Sequence, residues 1–412
     1  MRRPSIDRER LLQDLGELNR LGAEPGPGIN RLAYSPADMA ARRLVASWLS
    51  ELGLSERLDA AGNVSGVLPG ADDRLKPIAI GSHTDTVPHG GPLDGTLGVA
   101  AAVACARALS LSGGRLRHPL EIIDFAAEEA TMGGGLLGSR AMSGSLEAGF
   151  AEALGWDGRP VSEHLAAAGL DWRGVAAARR EPGSLAAYLE LHIEQGASLD
   201  RSGIPVAVVP GIVGIRRYQV VFTGQANHAG TTPMDQRDDA LVKAVPFVLD
   251  VERIGSELGL VATVGTFAVL PGASNVIPGR VELSFEIRSL DDRLLDRAEE
   301  RLLHTAGQRG AQTNRVSAAA PVESSTQVVS ALEAACEQLG YTHRLLPSGA
   351  GHDAMSMAAI TESAMVFIPS RGGISHAPEE YSAPEQCVVG AEVLLAGLIE
   401  LDTRLDLKSG RK

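Results

Sequence analysis

Three cysteines in 412 residues, Cys105, Cys336 and Cys387, lie far apart with no CxxC pair, which excludes both a disulfide framework and a thiolate zinc knuckle. Such sparing use fits a reducing compartment, and the chain is expected in the cytoplasm. No run of about 18 apolar residues occurs, so no membrane-spanning helix is expected. The start, MRRPSIDRERLLQDL, puts charges where a signal peptide needs an uninterrupted apolar stretch. Positive charge is also short: 38 Lys and Arg stand against 51 Asp and Glu, a formal charge of -13. A surface of that sign repels phosphate backbones and anionic lipid, which argues against nucleic acid and membranes as partners. GxxxxGK[ST], strand-linked GxGxxG, HExxH and GxSxG are all missing, which removes the familiar nucleotide-binding, zincin and serine-hydrolase motifs. There is no internal repeat and no low-complexity tract.

What remains is an ordinary globular composition, 44% hydrophobic and 22% charged, long enough for two or three domains with a substantial core. Arg8 to Leu21 is amphipathic, Glu24 to Asn30 reads as a Pro/Gly loop, and Pro36 to Leu54 as a second helix with Ser35 as N-cap and proline at the first helical position. Lys76 to Ser82 and Leu120 to Phe125 are short apolar runs flanking an Ala-rich helical pattern from Gly98 to Ser110, hence strand, helix, strand. Leu185 to Ile193 and Ser363 to Ile368 are further apolar runs that finish in polar, glycine-bearing loops. In open α/β sheets such carboxyl ends are where ligands bind.

From about Ile212 to Ala318 the texture changes to period-two alternation in RRYQVVFTG, VATVGTFAV and RVELSFEIR, with helical patterns at Arg237 to Glu257 and Asp291 to Gln308. Alternation implies a sheet with one covered face. The expected architecture is therefore α/β, with catalytic-domain segments 1–211 and 319–412 and an inserted α+β domain over 212–318.

Histidines and carboxylates recur at the strand ends: His83 and Asp85 in GSHTDTVPHGG, Asp94 in GPLDG, Glu128 and Glu129 in FAAEEA, His192 in LELHIEQG and His376 in GGISHAPEE. Taken singly, each reads as a turn residue or a solvated charge. Together they stand behind apolar runs, where burying charge without a metal or partner is costly. Imidazole and carboxylate without thiolate suits a borderline or hard divalent ion.

HTDTVPHGGPLDGTLGV, AAEEATMGGGLLGSRAMSG, ELHIEQG, GQANHAGTTPM, ASNVIPGRVELSFEIR, SGAGHDAMSMA and PSRGGISHAPEEYS, with GINRLAYSPAD and DAAGNVSG near the start, together resemble the M20-type metal-dependent amidohydrolases of the N-carbamoyl-L-amino-acid hydrolase and allantoate amidohydrolase group. The resemblance runs in order along nearly the whole chain. It implies a mixed-sheet catalytic domain, a ferredoxin-like inserted lid and dimerisation domain, and two divalent ions (zinc, manganese, cobalt or nickel). Asp94 would bridge the ions, with His83, Glu129, His192 and His376 as the other ligands. Glu128 would be the general base, taking a proton from a water that the ions acidify, and Asp85 would orient the other ring nitrogen of His83. His228 resembles the residue that polarises the scissile carbonyl, and Asn275 and Arg288 those that hold a substrate carboxylate, for which a planar guanidinium is well matched. Gln195 and the Gly349–His352 loop, including Gly351, are further implied contacts, with Gly372 and Gly373 allowing close backbone approach.

Two departures stand out. ATMGGG puts Thr131 and Met132 where the group usually has Arg-Phe, and Asp238 replaces the second Arg of the usual RRDA. The implied reaction is hydrolysis of the linear C–N bond of an N-carbamoyl-L-amino acid in a homodimer with shared active sites. Rivals are an allantoate-type ureidohydrolase, an aminoacylase or peptidase of the same fold, and a non-catalytic metal-binding protein. The intact Glu128–Glu129 pair argues against the last.

Overall fold

The computed structural model describes residues 4–23 and 25–409. Met1–Arg3, at the charged start, and Glu24, the first residue of the expected Pro/Gly loop, lie outside the described residues. The chain divides into two compact units, one of residues 1–210 and 324–412 and one of Gly211–Glu323.

The first unit is built on an eight-stranded mixed sheet. Its spatial order is Ser55–Leu58, Val64–Leu68, Leu120–Phe125, Ile78–His83, Ala187–Ile193, Ser363–Ile368, Val206–Val209, His343–Leu345. The four middle strands, from Leu120–Phe125 to Ser363–Ile368, are mutually parallel, so their carboxyl ends lie along one edge. All four are buried along their whole length. A strand covered on both faces reads as a continuous apolar run rather than as alternation, the pattern of IAIGSH and SAMVFI. Leu189, Leu191 and Ile193 of one strand and Ala364, Val366 and Ile368 of its neighbour enter the large core, whereas Tyr188, Glu190 and His192 alternate away from it.

Helix Thr96–Ser112 crosses between the parallel strands Ile78–His83 and Leu120–Phe125. Its small side chains, buried on every side from Thr96 to Ala106, let it pack closely on the sheet and against helices Arg8–Arg20 and Pro384–Ser409. Helix Arg8–Arg20 contributes Leu11, Leu15 and Leu18 to that core, and Asp7 accepts the amide hydrogen of Arg10 at its N-cap. Helix Pro36–Glu51 is capped by Ser35, which accepts from Asp38, and carries proline in its first turn. Among the described residues, no helix is long and apolar enough to cross a membrane.

The second unit is a four-stranded antiparallel sheet in the order Gln312–Ala319, Gly214–Thr223, Arg280–Ser289, Val261–Leu270. Helices Ala240–Leu258 and Asp292–Gln308 pack against it, giving the βαββαβ connectivity of a ferredoxin-like fold. Val220, Phe222, Phe247, Leu283 and Phe285 form its separate core. The unit runs beyond the expected 212–318 because Val322–Glu323 pair antiparallel with Gly211–Ile212 at its root.

Candidate active site

Four strand ends supply the site. The strand ending at His83 continues into Asp85 and Asp94, and Leu120–Phe125 continues into Glu128 and Glu129. Ala187–Ile193 carries His192 and runs on to Gln195, and His376 follows Ser363–Ile368. Ala127, Gln195 and His376 hold φ of 54°, 58° and 55°, and non-glycine residues in the left-handed region tend to gather where a fold sacrifices backbone comfort for function. Gly95, with φ 62°, starts helix Thr96–Ser112 directly after Asp94. A Cβ there would lie 2.3 Å from Nε2 of His83, so glycine keeps that nitrogen clear.

Asp94 is the centre of the arrangement. Its Oδ1 lies 3.0 Å from Nε2 of His192 and its Oδ2 3.0 Å from Nε2 of His376. Oε1 of Glu129 stands 3.6 Å from His376 Nε2, and Oε2 of Glu128 3.6 Å from His83 Nε2. His83 donates from Nδ1 to the Asp85 carbonyl at 3.0 Å, and His192 from Nδ1 to the Ile193 carbonyl at 2.8 Å. Both rings therefore turn Nε2 towards the carboxylates. Among the described residues three groups have their donor atoms within 4.8 Å of one another: besides Glu190–His192–His352 there are two, His83–Asp94–His192 and Asp94–Glu129–His376. Asp94 belongs to both.

These residues fit divalent cations. Oε1 of Glu129 is buried without a hydrogen-bond partner, a costly condition that a cation relieves. Burial, reinforced by the charges of Asp353 and Glu129, pushes the Glu128 carboxyl well above its ordinary range. Burial together with Asp94 and Asp85 does the same to Glu129. Burial holds His83 down at about 3, neutral as a ligand must be. For His192 burial also acts against the charge, yet the hydrogen bond and charge of Asp94 raise it to about 9. The donors are imidazole nitrogen and carboxylate oxygen only, the set that zinc, manganese, cobalt and nickel share.

Behind this layer, Asp85 acts differently from the sequence expectation. Its carbonyl, not its carboxylate, meets His83 Nδ1, the nearer carboxylate oxygen being 3.7 Å away. The carboxylate instead accepts the amide hydrogens of Glu128 at 3.1 Å and Glu129 at 3.2 Å. Buried Arg42 lies among Asp38, Asp85 and Asp124 at 3.2, 3.9 and 3.5 Å and donates to the Phe125 carbonyl at 2.9 Å. Arg31 donates to the Thr84 carbonyl at 2.5 Å and the Thr96 hydroxyl at 2.8 Å. The two guanidiniums thus brace the loops that carry the donors.

Gln195 joins the group by donating from Nε2 to Asp94 Oδ2 at 3.0 Å. His352 is buried, its ring edge-on to His192 at 4.4 Å between centroids, and Gly351 beside it is exposed. Met132 points into a satellite core with Phe150, Val161 and Leu165, and the turn it begins returns at Leu136, whose amide donates to the Glu128 carbonyl at 2.7 Å. ATMGGG therefore supports Glu128 from behind. His228, Asn275 and Arg288 belong to the second unit. His228 is exposed and its Nδ1 accepts the amide hydrogens of Gly230 and Thr231, which leaves the ring proton on Nε2. The Asn275 carbonyl accepts from Ala229, Arg288 is ion-paired with Glu286 at 2.7 Å, and Asp238 is ion-paired with Lys243. Sequence reasoning passed over Arg42 and Glu380. The signal for Glu380 was its place three residues after the proline-flanked His376–Ala377 step of HAPEE, and for Arg42 its place on the helix face of buried Asp38 and Val45.

A family model of peptidase family M20/M25/M40 matches residues 79–400. The chain is 40% identical to the N-carbamoyl-L-amino acid amidohydrolase of Geobacillus stearothermophilus, over 94% of this chain and 97% of that one. It is 35% identical to the ureidoglycolate hydrolase of Oryza sativa subsp. japonica, over 96% and 85%. A crystal structure of an amidase of the hydantoinase/carbamoylase family from Burkholderia multivorans superposes with a TM-score of 0.90 at 34% identity, covering 97% and 98% of the two chains. With the match spanning both units and every strand that carries a donor, the chain belongs to peptidase family M20/M25/M40 and is a hydrolase of its amidohydrolase branch.

Proposed function

We propose that the protein hydrolyses the linear C–N bond of an N-carbamoyl-L-amino acid, releasing the amino acid, carbon dioxide and ammonia. The observation that carries the reading is Asp94, whose two oxygens each stand 3.0 Å from a different imidazole, so that one carboxylate could serve both donor groups. His83, Asp94, Glu129, His192 and His376 would hold two ions, zinc, manganese, cobalt or nickel, which would supply Lewis acidity at the site. Glu128, with its raised carboxyl and its place beside His83, takes the proton of the attacking water and returns it to the leaving nitrogen. Asp85 fixes the main chain of both glutamates while that proton moves.

In the same proposal Arg288 and Asn275 hold the substrate carboxylate and His228 donates from Nε2 to the carbonyl oxygen. Gln195 and the Gly351–His352 loop border the substrate. The protein acts as a homodimer formed through the second units, with His228 serving the partner's site. Support comes from Val242, Val245 and Leu249, exposed at i, i+3 and i+7 on helix Ala240–Leu258, and from Val261, Phe267 and Leu270, exposed on the edge strand Val261–Leu270. Such an apolar face and unpaired edge suit a second copy. Three buried free thiols suit a cytoplasmic setting.

Metal-reconstituted protein screened against N-carbamoyl-L-amino acids, allantoate and N-acyl amino acids, with ammonia and free amino acid measured together, tests the reading. Both products should appear in step from N-carbamoyl substrates. The ureidoglycolate hydrolase likeness supports a second reading, and faster ammonia release from allantoate would select it. Amino acid without ammonia from N-acyl substrates would identify an acylase.

A further inference from the structure

Glu380 is buried in the loop that carries His376, yet its carboxylate does not face the donors. Oε1 accepts the amide hydrogens of Leu93 at 2.9 Å and Asp94 at 3.0 Å, and Oε2 accepts the Ser375 hydroxyl at 2.7 Å. Gly91 leaves room for it, since a Cβ there would lie 2.2 Å from the Glu380 carboxyl carbon. A negative charge buried this close to Asp94 is unfavourable in itself: burial and the Asp94 charge both raise the Glu380 carboxyl. Three hydrogen bonds to one carboxylate offset that cost. Their partners lie in two loops that leave different strands, Leu93 and Asp94 after Ile78–His83 and Ser375 after Ser363–Ile368. The Asp94–His376 approach of 3.0 Å spans those same loops. Asp85 makes the equivalent double acceptance from Glu128 and Glu129.

We propose that Glu380 is a positioning residue that clamps the Leu93–Asp94 main chain to the Ser375–His376 turn and so fixes the Asp94–Glu129–His376 donor group. The proposal rests on the two-cation reading above. Glu380 touches neither donor atoms nor substrate; it sets the distance between two donors. The His83–Asp94–His192 group depends on it only through Asp94, because its two histidines are held by the Asp85 and Ile193 carbonyls.

The test compares wild type, Glu380→Ala and Glu380→Gln by zinc titration against a competing chelator and by amide hydrogen exchange of metal-free protein over the segment containing Leu93 and Asp94. Glu380→Ala should keep one zinc tightly, bind the second about 10- to 100-fold more weakly, and exchange faster at that segment. Glu380→Gln, whose carboxamide oxygen can still accept from both amides, should recover most of both losses. With metal restored, Glu380→Ala should lose kcat with little change in KM. Two zinc ions at wild-type affinity in Glu380→Ala would overturn the proposal, as would weaker zinc with unchanged exchange, because the carboxylate would then act by charge alone. If wild-type protein takes up no zinc, the two-cation reading fails, and the exchange comparison alone decides whether Glu380 is a clamp.

Discussion

Asp85 is joined to Glu128 through the main chain: its Oδ1 accepts the Glu128 amide hydrogen at 3.1 Å, while its own carbonyl receives His83 Nδ1 at 3.0 Å. One residue therefore sets a donor histidine and the proposed base together. Asp85→Asn replaces one accepting oxygen with an NH2 group that faces another N–H. Turnover should fall by about 10- to 100-fold, with the ligand at His83 retained because the carbonyl is unchanged. Steady-state kinetics with zinc content by elemental analysis checks this, and loss of metal at the His83 side would assign the orienting role to the carboxylate after all.

Glu128→Gln should leave metal content near wild type and lower kcat by at least about 10²-fold, as removal of a general base does. Glu129→Gln removes an oxygen that is buried without a hydrogen-bond partner and should release metal as well. Identical metal content in the two variants would reverse or dissolve the assignment.

If His192 holds a cation as proposed, binding competes with protonation of its ring. Burial lowers its pKa, but Asp94 raises it to about 9, so zinc affinity should climb by about tenfold per pH unit as pH rises towards 9, and level off above. Competition titrations across that range, corrected for protonation of the chelator, provide the measurement. In the metal-free protein the linkage has the opposite sense. A raised histidine stabilises the fold fully below about 6.5, and that contribution disappears as pH rises through about 9.

Arg42 and Arg43 are adjacent in sequence and opposite in environment, the first buried among three aspartates and the second exposed. Arg42→Met strands those carboxylates in the interior and should cost about 3–5 kcal/mol. Arg43→Met should stay within about 0.5 kcal/mol of wild type. Urea unfolding of both variants decides, and equal losses would remove the network from any account of site stability.

If His228 serves the partner, His83→Ala and His228→Ala homodimers should each be nearly inactive while a mixture regains activity. Each hybrid restores one site in two, and random exchange makes about half the dimers hybrids, so roughly a quarter of wild-type activity should return. No gain despite proven subunit exchange would confine His228 to its own chain.

The legible parts of this fold were those whose physics is local. IAIGSH, LEIIDF and SAMVFI announce buried parallel strands because both faces are covered, and the period-two texture of RVELSFEIR announces a half-covered sheet. By contrast, Ser55–Leu58 is exposed at all four positions and His343–Leu345 is short and polar, so neither edge strand carries an apolar signal. The clustering of the candidate donors was legible because His and paired Glu behind apolar runs are conspicuous. Glu380 was not, since its partners are backbone amides 286 and 287 positions away, and a carboxylate after proline reads as a solvated turn. Arg42 was hidden in the same way, because its burial depends on aspartates from three separate segments. The role of Asp85 was half visible: its neighbourhood to His83 is local, but its grip on Glu128 and Glu129 is a tertiary contact.

The root of the second unit is a single antiparallel pair, Gly211–Ile212 with Val322–Glu323, and just before it the Ser324 amide donates to the Pro210 carbonyl at 3.0 Å. Entry and exit of more than a hundred residues thus share one hydrogen-bonded doorway. A tight turn from Pro210 to Ser324 would bypass the whole guest and leave His83, Asp94, Glu129, His192 and His376 together on the host. The residues proposed to hold cations therefore all lie in the host, whereas His228, Asn275 and Arg288 all lie in the guest.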